Sequence, residues 1–135
     1  MLKWVSSRYK PSGGIVVTEN GLPLFEDGPI VARRDLQRVC YLKQFLAQLA
    51  KAMREGVDVR GYFVWSLLDN FEWAFGYAKR FGAVHVDYET LVRTPKPVAT
   101  WYRGVMRANA VVPTASEAAL DHFAKSALDS RVDDW

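Results

Sequence analysis

One cysteine and two histidines in 135 residues leave little material for covalent staples or metal chemistry. Cys40 has no second thiol to pair with, so the fold does not depend on an oxidising compartment. No spacing of Cys, His, Asp or Glu resembles a ligand set, no glycine-rich loop is built to cradle phosphate, and no Ser-His-Asp set occurs, so neither a metal nor a cofactor is expected. No apolar run approaches the roughly 18 residues of a membrane span. The start, Met1 to Arg8, lacks the apolar stretch of a signal peptide. These absences predict a soluble chain with no membrane partner and the cytoplasm as its default compartment. Charge of one sign is also scarce. Eighteen Lys and Arg oppose fifteen Asp and Glu. The bases are scattered rather than striped, which argues against a nucleic-acid partner. The excess lies in residues 1–107 (+6), while 108–135 carry −3.

What the chain does have is apolar material in short, punctuated runs: 50% of its residues are hydrophobic and 13% aromatic. That suffices for a core. Residues 2–9 read as the tail of a helix stopped by Lys10-Pro11-Ser12-Gly13-Gly14. Ile15–Thr18 is β-branched and bounded by glycine, which predicts a strand buried on both faces. Residues 20–32 read as loop. Leu36, Val39, Leu42, Leu46, Leu49 and Met53 recur in steps of three and four, predicting a helix over about 33–55 that stops at Gly56. Cys40 falls on its buried side with no basic partner, so an inert thiol is expected. Gly61–Ser66 predicts a second buried strand, 83–87 a short irregular one, and Pro97 opens a helix to about residue 108. The order is that of consecutive β/α units of a parallel α/β architecture. Beyond it, Thr114 and Glu117 form a capping box before Leu120, Phe123, Ala124, Ala127 and Leu128, predicting a short amphipathic helix in a tail spanning 110–135.

The polar candidates sit where parallel α/β proteins gather ligands, at the carboxyl ends of strands. Glu19 follows the first strand. It is either an acid beside an Asn20-Gly21 turn or a reactive carboxylate. Trp65 ends the second strand, as core or as a stacking platform. The segment Leu67-Leu68-Asp69-Asn70-Phe71-Glu72-Trp73 reads as a surface loop whose aromatics and carboxylates suit a sugar, with indole faces for C–H surfaces and carboxylates for hydroxyls. His85 reads as structural and His122 as solvated.

Val17-Thr18-Glu19-Asn20-Gly21, followed by the run from Gly56 through Gly61-Tyr-Phe-Val-Trp65-Ser-Leu-Leu-Asp-Asn70-Phe-Glu72-Trp73, resembles the C-terminal portion of family 1 glycoside hydrolases, the β-glucosidase family. Gly76-Tyr77, Arg80-Phe81-Gly82, Val86-Asp87-Tyr88, Arg93-Thr94-Pro95-Lys96 and Trp101-Tyr102 continue the likeness in order, from residue 2 to about 109. The resemblance implies a partial (β/α)8 barrel: its last two β/α units, with Ile15–Thr18 as strand 7, Gly61–Ser66 as strand 8, and flanking helices. Residues 1–109 would be barrel and 110–135 a tail. It implies Glu19 as catalytic nucleophile and Trp65, Glu72, Trp73 and Phe81 as residues lining the subsite for the non-reducing sugar. A carboxylate at Glu72 implies an unphosphorylated β-glucoside as substrate, since it would repel a sugar phosphate.

The likeness also carries an incompleteness. The family's acid/base sits in an Asn-Glu-Pro motif on the fourth strand, and no such tripeptide occurs here. A (β/α)8 barrel takes about 250 residues, and two strands cannot close a ring. The open piece is expected to expose strand edges and to partner either the missing N-terminal barrel portion or a second copy of itself. The expectation is a partial sequence from a truncated gene model, a split gene or a decayed copy. Function then divides between a nucleophile-bearing piece of a retaining β-glucosidase and a non-catalytic remnant that at most binds sugar or a protein partner. Phe45, where the family often has His, is expected to stand away from the site.

Overall fold

The computed structural model describes residues 1–25 and 31–113 of the chain. The predicted tail helix and His122 lie outside these residues. The first helix, α1 (Leu2–Tyr9), ends at Lys10, whose backbone is left-handed. Strand β1 (Ile15–Val17) follows, then β2 (Leu24–Phe25) and the long helix α2 (Val31–Arg54). Strand β3 (Val59–Tyr62) pairs parallel to β1, with Val16 opposite Gly61 and Val17 opposite Tyr62. A single 3-10 turn (Trp73–Phe75), β4 (Lys79–Arg80), β5 (Val84–Val86), β6 (Arg93–Pro95) and α3 (Pro97–Ala108) complete the order. β2 pairs antiparallel with β4, and β5 with β6. No described helix is long and apolar enough to cross a membrane.

The core lies where the three-and-four pattern puts it. Val39, Leu42 and Leu46 of α2 meet Val98, Trp101 and Val105 of α3, with Ala83, Tyr62 and Val64 packed against them. Leu42 and Val98 are fully buried. Each such side chain contributes about 1.5–3 kcal/mol by leaving water. Helix α2 stops at Gly56, whose φ of 91° suits glycine alone. Helix α3 starts with Pro97 in its first turn. Its first-turn N–H at Val98 donates to Asp35 Oδ2 across 2.5 Å, so one helix caps the other.

Three sequence expectations need correction. The second strand is Val59–Tyr62 and not Gly61–Ser66. Regular pairing ends there because β1, its partner, ends at Val17; only Phe63 N–H to Val17 O (2.9 Å) carries on. Neither strand is buried on both faces. Val16 and Phe63 are 47% and 60% exposed, because the described helices cover only the opposite face, where Tyr62 and Val64 pack. The stretches read as loop are not wholly irregular: 20–32 holds β2, the loop from Leu67 runs into the 3-10 turn and β4, and the short strand at 84–86 gains a hairpin partner in 93–95.

Candidate functional site at the carboxyl ends of β1 and β3

Glu19 lies two residues past β1, exposed, and its carboxylate makes no hydrogen bond or ion pair among the described residues. It lines an open cleft of about 530 Å³ with Val17, Asn20, Tyr62, Phe45 and Lys51. Phe45 is therefore not remote, as the sequence suggested. It faces the same cleft and packs its ring 4.4 Å from that of Tyr41. A larger groove, about 580 Å³, lies by the start of β3 between α2 and α3 and touches none of the five candidate residues.

Main-chain contacts join the loop after β1 to the segment after β3. Trp65 N–H donates to Asn20 O at 2.9 Å. A Cβ on Gly21 would lie 1.9 Å from Trp65 O and 3.2 Å from the Phe81 ring. Glycine is required there for close approach between backbones. Asn20 also accepts from Tyr62 Oη (2.5 Å) and donates to Tyr41 Oη (3.1 Å).

Trp65 is half-buried, and its indole N–H donates to Glu72 Oε1 at 3.0 Å. The sequence placed Glu72 on a surface loop, yet it is 7% exposed, drawn in by that bond and by its main-chain N–H to Gly76 O (2.7 Å). Trp73 is 81% exposed and points its ring to solvent. Phe81 is half-buried, its carbonyl accepting Ser66 N–H at 3.2 Å. The Trp65–Ser66 peptide is cis. The structure thus brings Trp65, Glu72 and Phe81 together beside Asn20 and Gly21. Glu19 sits on the adjoining loop, and Trp73 beyond Glu72 at the outer edge.

Two charged clusters hold this rim in place, and sequence reasoning missed both. Asp69, read from sequence as a loop residue, has a fully buried carboxylate. Oδ1 accepts from Lys96 Nζ (3.0 Å) and Gly82 N–H (2.8 Å); Oδ2 accepts from Arg80 (2.9 Å) and Val86 N–H (3.3 Å). His85 Nδ1 is 3.5 Å from Oδ2. Burial pushes this carboxyl upward, but Lys96, Arg80 and the Val86 N–H outweigh it and hold it below the usual carboxylate range. A Cβ on Gly82 would strike Asp69 N at 2.2 Å, so the segment holding Phe81, just after β4, is pressed against the loop holding Glu72. The second cluster is Asp35 and Arg38 of α2, both fully buried and ion-paired. Arg38 donates on to Leu22 O (3.3 Å) and Arg80 O (2.9 Å), tying both rim loops to α2. Burial pushes the Asp35 carboxyl up, against the pull of Arg38. A signal for this pair existed: Asp35, Arg38, Val39 and Leu42 fall at helical steps of three, four and seven, on the core face.

Comparison with known proteins matches residues 1–111 to glycosyl hydrolase family 1. Beta-glucosidase 47 of Arabidopsis thaliana is 50% identical over 103 residues, which span 76% of this chain and 19% of that protein. Beta-glucosidase A of Thermotoga maritima is 48% identical over 113 residues, 81% of this chain and 24% of the relative. Among solved structures, the T. maritima beta-glucosidase in complex with glucoimidazole superposes with a TM-score of 0.75 at 47% identity, covering 82% of this chain and 25% of that one. The chain therefore spans about a fifth to a quarter of the length of these relatives. The matched residues take in both strand ends, the rim between them and the three described helices: the chain belongs to glycosyl hydrolase family 1.

Proposed function

We propose that this chain carries the nucleophile side of a retaining β-glucosidase, with Glu19 as nucleophile and Trp65, Glu72, Trp73 and Phe81 forming part of the subsite for the non-reducing sugar. One observation carries the reading. In a family 1 chain, Glu19 and Trp65 emerge at the same ends of two parallel strands, and the Trp65 main chain is bonded to the residue beside Glu19. In a retaining enzyme an ionised carboxylate attacks the anomeric carbon. The bond from that carbon to the aglycone oxygen breaks, and a second carboxyl about 5–5.5 Å away gives the leaving oxygen its proton. Water then attacks the glycosyl-enzyme ester, passing its proton back to the second group and freeing Glu19. Among the described residues of this rim no carboxyl is left for that second role, since Asp69 is spent on Lys96 and Arg80 and Glu72 on the Trp65 indole. The rest of the barrel would supply it. The partner surface for that portion is the sheet face bearing Val16 and Phe63.

An unphosphorylated β-glucoside fits the rim best. Glu72 offers hydroxyls an acceptor already oriented by the Trp65 indole, and its charge disfavours a phosphate. The glucoimidazole bound to the matched T. maritima enzyme is in keeping with a glucose-shaped ligand. The test is hydrolysis of p-nitrophenyl β-D-glucoside by the chain alone and by the chain co-folded with the N-terminal portion of T. maritima beta-glucosidase A. The expected result is no turnover alone and turnover in the mixture that vanishes with Glu19→Gln. Turnover by the isolated 135 residues would refute the two-carboxylate argument.

The intact Trp65–Glu72 pair favours a second reading, sugar binding without catalysis. A tryptophan fluorescence response to methyl β-D-glucoside that survives Glu19→Gln and is lost with Trp65→Ala, without turnover in any mixture, would select it.

A further inference from the structure

We propose that Asn20 is a positioning residue, a three-way clamp that fixes the Glu19 loop against Trp65. The inference rests on the assignment of Glu19 and Trp65 above and adds the group that sets their relation.

The plain reading of Asn-Gly is a turn in which one or both residues take a left-handed backbone. That is not what the chain does. Neither Asn20 nor Gly21 has positive φ; among the described residues those that do are Lys10, Gly14, Gly56, Trp73, Gly76, Leu91 and Asn109. Gly21 is small because Trp65 O presses on it. Asn20 is an amide because both ends of its side chain are used.

Its Oδ1 accepts the Tyr62 hydroxyl at 2.5 Å and its Nδ2 donates to the Tyr41 hydroxyl at 3.1 Å. Its main-chain O takes Trp65 N–H at 2.9 Å. Three elements therefore converge on one residue: α2 through Tyr41, β3 through Tyr62, and the segment after β3 through Trp65. Tyr102 of α3 extends the chain of bonds by donating to Tyr62 O at 3.2 Å. Burial raises the Tyr62 hydroxyl well above its ordinary value, which keeps it a proton donor at any working pH. An amide supplies both at once from two fixed atoms, an acceptor to one phenol and a donor to the other. An aspartate there would add a negative charge next to Glu19.

Glu19 needs such a neighbour. Its carboxylate has no fixing partner among the described residues, so its place is inherited from the backbone at 19–21. That backbone has left the β1 ladder, and the Asn20 bonds are what return it to the sheet.

The test is amide hydrogen exchange by NMR on the full chain. In Asn20→Ala the Trp65 amide is expected to exchange about 10-fold faster, while the Phe63 amide, bonded to Val17 O in the adjoining ladder, changes less than twofold. Tyr62→Phe and Tyr41→Phe, which each remove one bond, should give part of the same selective effect and stand in if the alanine variant does not fold. Equal acceleration at Trp65 and Phe63 in these variants, no change at either, or an unprotected Trp65 amide in the unsubstituted chain overturns the clamp. In the co-folded enzyme, Asn20→Ala should lower kcat at least 10-fold with KM within twofold; an unchanged kcat overturns the positioning role. The exchange experiment needs no turnover, so an inactive mixture sinks the glucosidase reading while the clamp is still decided.

Discussion

Replacing Asp69 by Asn keeps the shape of the side chain and removes the one negative charge shared by Lys96 and Arg80. Lys96 Nζ is fully buried and Arg80 nearly so. All four close partners of the carboxylate are donors: Lys96, Arg80 and the N–H groups of Gly82 and Val86. The amide nitrogen of Asn must point at one pair of them, setting donor against donor. Removing one member of a buried, hydrogen-bonded ion pair costs about 3–5 kcal/mol, because the other charge stays uncompensated. Against a total stability of about 5–15 kcal/mol for an ordinary domain, this is a large share. Urea denaturation at pH 7 should show the loss as a lower midpoint. The pH dependence follows from the depressed folded value of Asp69. Its contribution is complete above the unfolded value of about 3.9 and is lost as pH falls through the lower folded value. The gap between the two proteins should persist at pH 5 and narrow only below about pH 4. A gap under about 1 kcal/mol at pH 7, or one that stays constant down to pH 2.5, would refute the ion-pair account. Lys96→Met should partly rescue Asp69→Asn, since it removes the stranded charge.

Glu19→Gln should leave the urea midpoint within about 0.5 kcal/mol of the unsubstituted chain, because the carboxylate is exposed and unbonded among the described residues; a larger loss would mean that Glu19 is part of the scaffold. Gly21→Ala places a Cβ 1.9 Å from Trp65 O, so the rim must open. Near-ultraviolet circular dichroism should change and stability fall by about 2 kcal/mol or more, the range of severe backbone and packing defects. Leu42→Ala, at a fully buried position facing Val98, should cost about 2–5 kcal/mol in the same urea assay.

The helices were legible because their information is local. Leu36 to Met53 repeat at helical spacing, Gly56 ends one helix and Pro97 opens another, and the structure follows within two residues. Strand limits were less so. Val59 pairs with Ile15 because of where β1 lies, and no residue in the 59–66 run marks Tyr62 as the end of the ladder. The polar candidates were found by motif, but their burial was not. Glu72 and Asp69 read as surface carboxylates because the donors that bury them, Trp65, Lys96 and Arg80, lie 7 to 27 residues away in the chain. Long-range hydrogen bonds leave no periodic trace. The hairpin of β5 with β6 was hidden for the same reason: its second strand, Arg93-Thr94-Pro95, is exposed throughout and carries no apolar alternation.

The bonds of the rim are distributed unevenly between its two roles, and that bears on how activity could arise. Trp65, Glu72 and Phe81 are fixed by partners inside the described residues: the indole–carboxylate bond, the Ser66 N–H to Phe81 O bond and the Asp69 cluster one residue on. Under the proposed function the sugar-contacting half is thus built before any other barrel segment arrives. Among the described residues Glu19 is held only through its backbone, and the cleft that it lines with Phe45 and Lys51 is open. Preorganisation of reacting groups accounts for much of catalytic rate, and a carboxylate free to rotate in water lacks it. Docking of the remaining barrel would therefore act on rate more than on sugar affinity, by closing the cleft over Glu19 and delivering the second carboxyl in one step. In a titration of the chain with the N-terminal barrel portion, kcat should rise with complex formation while the dissociation constant for methyl β-D-glucoside shifts much less. An affinity that appears only in the complex would show instead that the sugar subsite is not preformed.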